Sequence, residues 1–275
     1  MTHLKPLETK KKLKLADYDP ADTDGSSKEE AAVKIALLEN KLASLQELLY
    51  ASQCNSVLIV LQGTDTSGKD GTIRHVMRSV NPQGCSVASF KVPTPDEAAH
   101  DFLWRSHAKV PAKGMITIFN RSYYEDVIVT RVHDTIDKDE CESRYKIINS
   151  FESSLIDQGT IIVKLFLHIS QEEQKERLEE REKDPTKAWK LSAGDWHERT
   201  FWKQYQEAYE TALSATSHKD APWYMVPADK KWFRDVAIAE LLVKTLEKHE
   251  GKWNEVLKEM GKSKLAEVKK VRGKR

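Results

Sequence analysis

The residues best suited to chemistry are Gly63-Thr-Asp-Thr-Ser-Gly-Lys69. Glycines at both ends of such a turn let successive backbone N–H groups curl around an anion, and a helix starting at the lysine adds its positive end. Lys69 would place its ammonium on a phosphate, with Thr66, Ser67, Gly68, Asp70, Gly71 and Thr72 forming the rest of the cradle. Loops of this kind ordinarily follow the lysine with Ser or Thr, whose hydroxyl ligates Mg²⁺. Here Asp70 takes that place, so Thr72 or Asp65 must supply the contact. A carboxylate among bound phosphates repels them unless a cation lies between, so Asp65 reads as a metal ligand or a general base. A bond within the turn is the simpler alternative for it.

Two further clusters carry charge of the right kind. Phe119-Asn-Arg-Ser-Tyr-Tyr-Glu-Asp126 follows a short apolar run. Its Arg121 can fork onto phosphate oxygens, and Glu125 or Asp126 can hold Mg²⁺. Ser122 and Glu125 also fit a capping box, which would occupy Glu125 and leave Asp126 free for the metal. The third cluster is basic: Arg177 and Arg181 stand four apart, and Lys183, Lys187 and Lys190 continue the charge around Pro185. Four-residue spacing puts both arginines on one helix face, and a mobile lid closing them over phosphates is the functional reading. Six basic residues meet five acidic ones over 174–190, so an ordinary salt-bridged surface helix is its rival. The nine histidines contain no HExxH pattern, and most tryptophans read as core or lid packing.

Short branched runs at 57–61, 86–91, 115–119, 161–169 and 223–226 have strand character. Helical spacing fills 29–50, 70–79, 96–108, 137–157, 171–182, 195–215 and 230–249. Strands alternating with helices predict an α/β domain with a mostly parallel sheet, and the glycine loop falls directly after the first strand. Residues 1–28 are polar and predict a loosely docked lead-in. Residues 29–250 are expected to form the main catalytic unit, with a lid at about 177–216. Residues 251–275 form a basic tail, frayed and solvated or serving as a polyanion-attracting arm.

Composition narrows the classes. Forty-four Lys and Arg against 43 Asp and Glu leave a formal charge of +1, which argues for neither a nucleic-acid nor a membrane partner. No apolar run approaches the ~20 residues of a membrane helix, and no apolar stretch follows the N-terminal lysines. Cys54, Cys85 and Cys141 are far apart, which excludes a disulfide framework and suits a reducing, cytoplasmic setting.

The segments GTDTSGKDGT (63–72), FKVPTPDEAAHDFLWR (90–105), FNRSYYEDV (119–127), REKDPTKAWKLS (181–192) and APWYMVPADKKW (221–232) together resemble polyphosphate kinase family 2, in the family's order and over roughly residues 45–246. The resemblance implies a P-loop kinase core with a five-stranded parallel sheet flanked by helices, plus a helical lid. It implies reversible phosphoryl transfer between inorganic polyphosphate and a nucleotide, with Mg²⁺ (or Mn²⁺) as cofactor and a homo-oligomeric state. Asp65, Lys69 and Arg121 carry over as metal-site, phosphate-binding and charge-stabilising residues, and Lys91, Asp101 and Arg105 as nucleotide-binding residues. Arg177, Arg181, Lys187 and Lys190 would hold the donor. Many members have Asp where this chain has Asn120, so the metal duty passes here to Asp65 and Asp126. The FNRSYYED wording resembles the branch that accepts nucleoside mono- and diphosphates. An acceptor phosphate is already ionised at neutral pH, which favours Asp65 as a metal ligand over a base. An ATP-dependent small-molecule kinase and a non-catalytic polyanion-binding protein are the alternatives.

Overall fold

The computed structural model describes residues 3–8 and 12–273. Five parallel strands, β1 (Ser56–Gln62), β2 (Cys85–Ser89), β3 (Ile116–Asn120), β4 (Thr160–His168) and β5 (Trp223–Pro227), form one sheet in the order β2-β3-β1-β4-β5. The helices are α1 (Lys28–Ser52), α2 (Lys69–Val76), α3 (Pro95–Ala98), α4 (Trp104–His107), α5 (Glu125–Val132), α6 (Lys138–Asp157), α7 (Gln171–Lys183), α8 (Ala193–Arg199), α9 (Trp202–Thr216) and α10 (Lys231–Arg272). Parallel strands need crossover helices, which cover both faces of the sheet. The expected α/β architecture with five parallel strands is therefore present.

Alternation along the strands divides the core in two. Val57, Ile59 and Leu61 of β1, with Val163, Leu165 and Leu167 of β4, face α1, α2 and α10. Leu58 and Val60, with Ile162 and Phe166, face α5, α6 and α9. Lys164 falls on this second face by the same two-residue period and is fully buried. Its ammonium donates to Glu152 Oε2 at 2.6 Å and to the Thr216 carbonyl at 2.7 Å. Tyr123 and Tyr124 both donate to Glu152 Oε1, at 2.9 and 2.8 Å. The two tyrosines of the second sequence cluster therefore turn inward and anchor the loop after β3 to a buried ion pair. No helix among the described residues is long and apolar enough to cross a membrane.

The described residues of the lead-in are docked, not loose. Leu4, Leu7, Leu13 and Leu15 are buried, the Leu7 N–H donates to the Trp223 carbonyl at 2.8 Å, and Pro6 bridges Tyr224 at the open edge of β5. Leucines spaced too irregularly for a helix still fill gaps along a sheet edge, and covering that edge blocks pairing with other chains. Leu15→Ala should lower unfolding free energy by about 2–4 kcal/mol, read from urea midpoints. An effect below about 0.5 kcal/mol would return the segment to a peripheral role.

Other differences from the sequence reading have local causes. The helix expected over 96–108 is two single turns: Thr94 and Glu97 cap α3 reciprocally, and Asp101 accepts from the Leu103 N–H to start a new turn. The helix expected over 195–215 breaks at Thr200 and Phe201, where the Thr200 hydroxyl donates back to the His197 carbonyl. The basic tail is not frayed from residue 251: α10 runs unbroken to Arg272, with Trp253 buried and its indole donating to Asn55 Oδ1 at 2.9 Å.

Candidate active site

The C-terminal ends of β1 and β3 lie side by side, with Leu61 in register with Asn120 and the Arg121 N–H donating to the Leu61 carbonyl at 3.1 Å. Sequence-distant clusters 63–72 and 119–126 thus meet where ligands bind in open parallel sheets. Between β1 and α2 the loop turns through Gly63 (φ 152°) and Gly68 (φ 100°), with Thr66 at φ 64°. A Cβ on Gly63 would stand 2.7 Å from both the Leu167 carbonyl and the Ser67 hydroxyl. The backbone curl therefore requires glycine there.

Lys69 is buried at the base of the loop, donating to the Gly63 carbonyl at 2.7 Å and the Thr64 carbonyl at 3.1 Å. Burial, reinforced by the Arg121 guanidinium, pulls its pKa down to about 8. Arg121 adopts φ 64°, a strained conformation for a residue with a Cβ. Its guanidinium bridges Asp65 at 2.6 Å and Glu125 at 3.2 Å. These carboxylates, Glu125 foremost, push the Arg121 pKa upward and keep it charged.

Of the two adjacent carboxylates, the structure brings Glu125 to this cluster and takes Asp126 elsewhere. Asp126 lies 3.5 Å from Arg105, and its Oδ2 is buried without a hydrogen-bond partner. Burial raises the Asp126 pKa despite that arginine. The capping alternative also fails: α5 begins at Glu125 with no side-chain cap, and the Ser122 hydroxyl accepts from the Tyr124 N–H. Asn120 donates to Asp70 Oδ1 at 2.9 Å. The Thr66 and Thr72 hydroxyls are buried without partners.

The basic cluster splits. Arg177 is buried and donates to the carbonyls of Thr66 (2.9 Å) and Ala228 (2.6 Å), so it braces the loop from behind. Arg181, one turn on, faces the opening and pairs with Asp195 at 2.9 Å. Lys190, at the end of the 3₁₀ helix Pro185–Lys190, reaches across to Asp70 at 2.7 Å. Lys187 instead pairs with Asp184 in its own turn. Arg181, Asp195, Lys190 and Asp70, with Asp65, Lys69, Lys91 and exposed Trp189, line a cleft of ≈ 900 Å³, which Arg177 and Lys187 do not reach.

Of the residues assigned to the nucleotide, only Lys91 lines that cleft. Arg105 is buried and donates to the Lys91 carbonyl at 2.7 Å, which makes it a support for the 90–92 segment. Asp101 caps the turn before α4. Two residues escaped sequence reasoning. Arg234, near the start of α10, is buried with its guanidinium against Gly68 and Gly71 and is tied to Asp235 at 2.7 Å. No local motif announces it, because the chain reaches the loop only through tertiary packing. Asp195 sits inside the segment read as lid, where its pairing with Arg181 was invisible.

A family model described as Polyphosphate kinase 2 matches residues 25–254. The chain belongs to the polyphosphate kinase 2 family. It is 50% identical over 238 residues to the AMP/ADP-polyphosphate phosphotransferase of Meiothermus ruber, covering 86% of this chain and 89% of that one. It is 46% identical over 219 residues to the ADP-polyphosphate phosphotransferase of Rhodopseudomonas palustris, covering 75% and 76%. Among solved structures, polyphosphate kinase 2 from Arthrobacter aurescens TC1 superposes with a TM-score of 0.84 at 42% identity, covering 90% of this chain and 92% of that one. Arg181 lines the cleft beside the glycine loop and pairs there with Asp195. Arg181→Ala should raise the apparent KM for polyphosphate several-fold and leave that for nucleotide nearly unchanged in steady-state assays. Equal losses for both would return α7 to a surface salt-bridge role.

Proposed function

We propose that this enzyme transfers phosphoryl groups from inorganic polyphosphate to nucleotides, reversibly, with nucleoside mono- and diphosphates as acceptors. The observation that carries the reading is the convergence of Lys69, Arg121, Arg181, Lys190 and Lys91 on one cleft around a glycine loop. That is a surface built to receive several phosphates at once. The similarity to transferases named for AMP and ADP supports both acceptors. Cytoplasmic location and homo-oligomerisation belong to the same reading.

In the transfer, a terminal oxygen of the acceptor phosphate attacks the end phosphorus of the polyphosphate chain. The new P–O bond forms as the anhydride bond behind it breaks, and the chain leaves one unit shorter with the electron pair. The acceptor is already ionised, so the step asks for alignment and charge neutralisation and not for a base. Lys69 supports the transferring group from the loop side. Arg121, preset by its backbone and by Asp65 and Glu125, forks onto the equatorial oxygens as charge redistributes.

The oxygen donors available to a metal are Asp65 and Glu125, with the unpartnered Thr66 and Thr72 hydroxyls nearby. Among the described residues no three carboxylate, histidine or cysteine side chains form a ready cage. This suits Mg²⁺, which binds through one or two carboxylates plus substrate phosphates and retains several waters. When bound, the ion would neutralise and orient phosphate oxygens. Glu125→Gln should raise the Mg²⁺ needed for half-maximal rate more than Asp126→Asn does; a Mg²⁺ titration giving the reverse order would restore Asp126 as the partner of Asp65.

The function is tested by incubating the protein with polyphosphate and Mg²⁺ plus AMP or ADP, separately, and resolving products by chromatography. ADP and ATP, respectively, should appear. Product formed only when ATP replaces polyphosphate as donor would establish the ATP-dependent kinase instead.

A further inference from the structure

We infer that Asp70, steadied by Asn120, is a positioning residue for the lid: it holds Lys190 over the phosphate loop while the cleft is empty and surrenders it to the phosphate chain. This inference rests on polyphosphate as the donor and goes beyond that assignment. Asp70 occupies the place after Lys69 where phosphate loops ordinarily carry a hydroxyl for the metal. Its two oxygens are spoken for: Oδ1 accepts from Asn120 Nδ2 at 2.9 Å and Oδ2 from Lys190 Nζ at 2.7 Å. Three segments distant in sequence, α2, the end of β3 and the lid, thereby meet at one carboxylate.

The chemistry of position 120 makes this contact possible. An aspartate there would set two carboxylates within hydrogen-bond distance, stable only with a cation or proton between them. The Asn120 amide instead donates, so Asp70 stays ionised with no metal. Lys190, foremost, and then Asn120 hold its carboxyl below the usual range against the opposing effect of burial. Lys190 also lies 4.9 Å from the centre of the Trp189 ring, so moving the lysine moves the most exposed aromatic of the cleft wall. Asp70 offers Lys190 what a phosphate offers it, one anionic oxygen at the mouth of the loop. The pair is only partly shielded, with Asp70 64% and Lys190 27% exposed, so an incoming polyanion can displace it.

The test is a double-mutant cycle read by calorimetric binding of sodium tripolyphosphate without nucleotide. Asp70→Asn should tighten binding about three- to fivefold, the upper range for a solvent-accessible ion pair. That gain should vanish in a Lys190→Gln background. Asn120→Ala keeps every charge and removes one anchor of Asp70; it should give a smaller gain with the same dependence on Lys190. The KM for polyphosphate should fall in parallel in Asp70→Asn while that for nucleotide stays put. A gain that persists without Lys190 is a bulk charge effect and overturns the inference, as does unchanged or weaker binding by Asp70→Asn. Should wild type bind no tripolyphosphate, the release step fails, and the product assay with AMP and ADP reports separately on the function.

Discussion

Lys69→Ala should lower turnover at least about 10³-fold, a barrier increase of ~4 kcal/mol, while the protein stays folded. The ammonium sits at the base of the glycine loop, and its partners are the Gly63 and Thr64 carbonyls, which the loop can turn towards water. Burial holds its pKa near 8 against an ordinary 10.5. The folded state therefore binds this proton less tightly than the unfolded chain does. The resulting cost, on the order of 3 kcal/mol, is fully present below about pH 8 and fades as pH rises towards 10.5. Two consequences can be measured. Lys69→Met should be no less stable than wild type at pH 7 by denaturant melts, although inactive. Phosphate affinity of the free wild-type enzyme should weaken as pH rises through about 8, where the ammonium is lost. A variant retaining more than a tenth of wild-type turnover would remove Lys69 from the phosphate.

Arg121→Gln should cut kcat by about 10²–10³-fold, the scale for losing a preorganised donor to developing charge. Donor binding should fall far less, because Arg181 and Lys190 remain. The substitution also frees Asp65 and Glu125 from their shared cation, so the rate that survives should need no more Mg²⁺ than wild type does. Turnover and a Mg²⁺ titration on the purified variant decide this. A loss confined to KM would make Arg121 a uniform binding group without a special role in the transition state.

What the sequence made legible was whatever local spacing determines. The glycine loop sits between a branched apolar run and a helix start, and that context alone places Lys69 at the mouth of a parallel sheet. The motif order likewise carried the family and its five-stranded core. Choices between neighbours were less legible. Glu125 and Asp126 are adjacent, and only the start of α5 and the turn of Arg121 decide which carboxylate faces the loop. Arg177 and Arg181 share a helical face by spacing, yet one turn of α7 separates a residue buried behind the loop from one facing the opening. Arg234 reaches Gly68 and Gly71 from a helix 160 positions further along the chain, and nothing in its neighbours marks it. Tyr123 and Tyr124 sit in a segment that looks wholly catalytic, but their hydroxyls serve the Lys164–Glu152 pair. Burial of a charge in a central strand is invisible until its partner is placed.

The central claim is that phosphate passes directly from polyphosphate to a nucleotide at the Lys69–Arg121 cleft. Phosphorus NMR of one sealed reaction containing ADP, polyphosphate, Mg²⁺ and enzyme follows donor and product together. ATP resonances should grow in step with loss of polyphosphate anhydride, with no free phosphate accumulating, and none of this should occur in Lys69→Ala. Polyphosphate falling to free phosphate with ADP unchanged, or ATP appearing equally in Lys69→Ala, would contradict it.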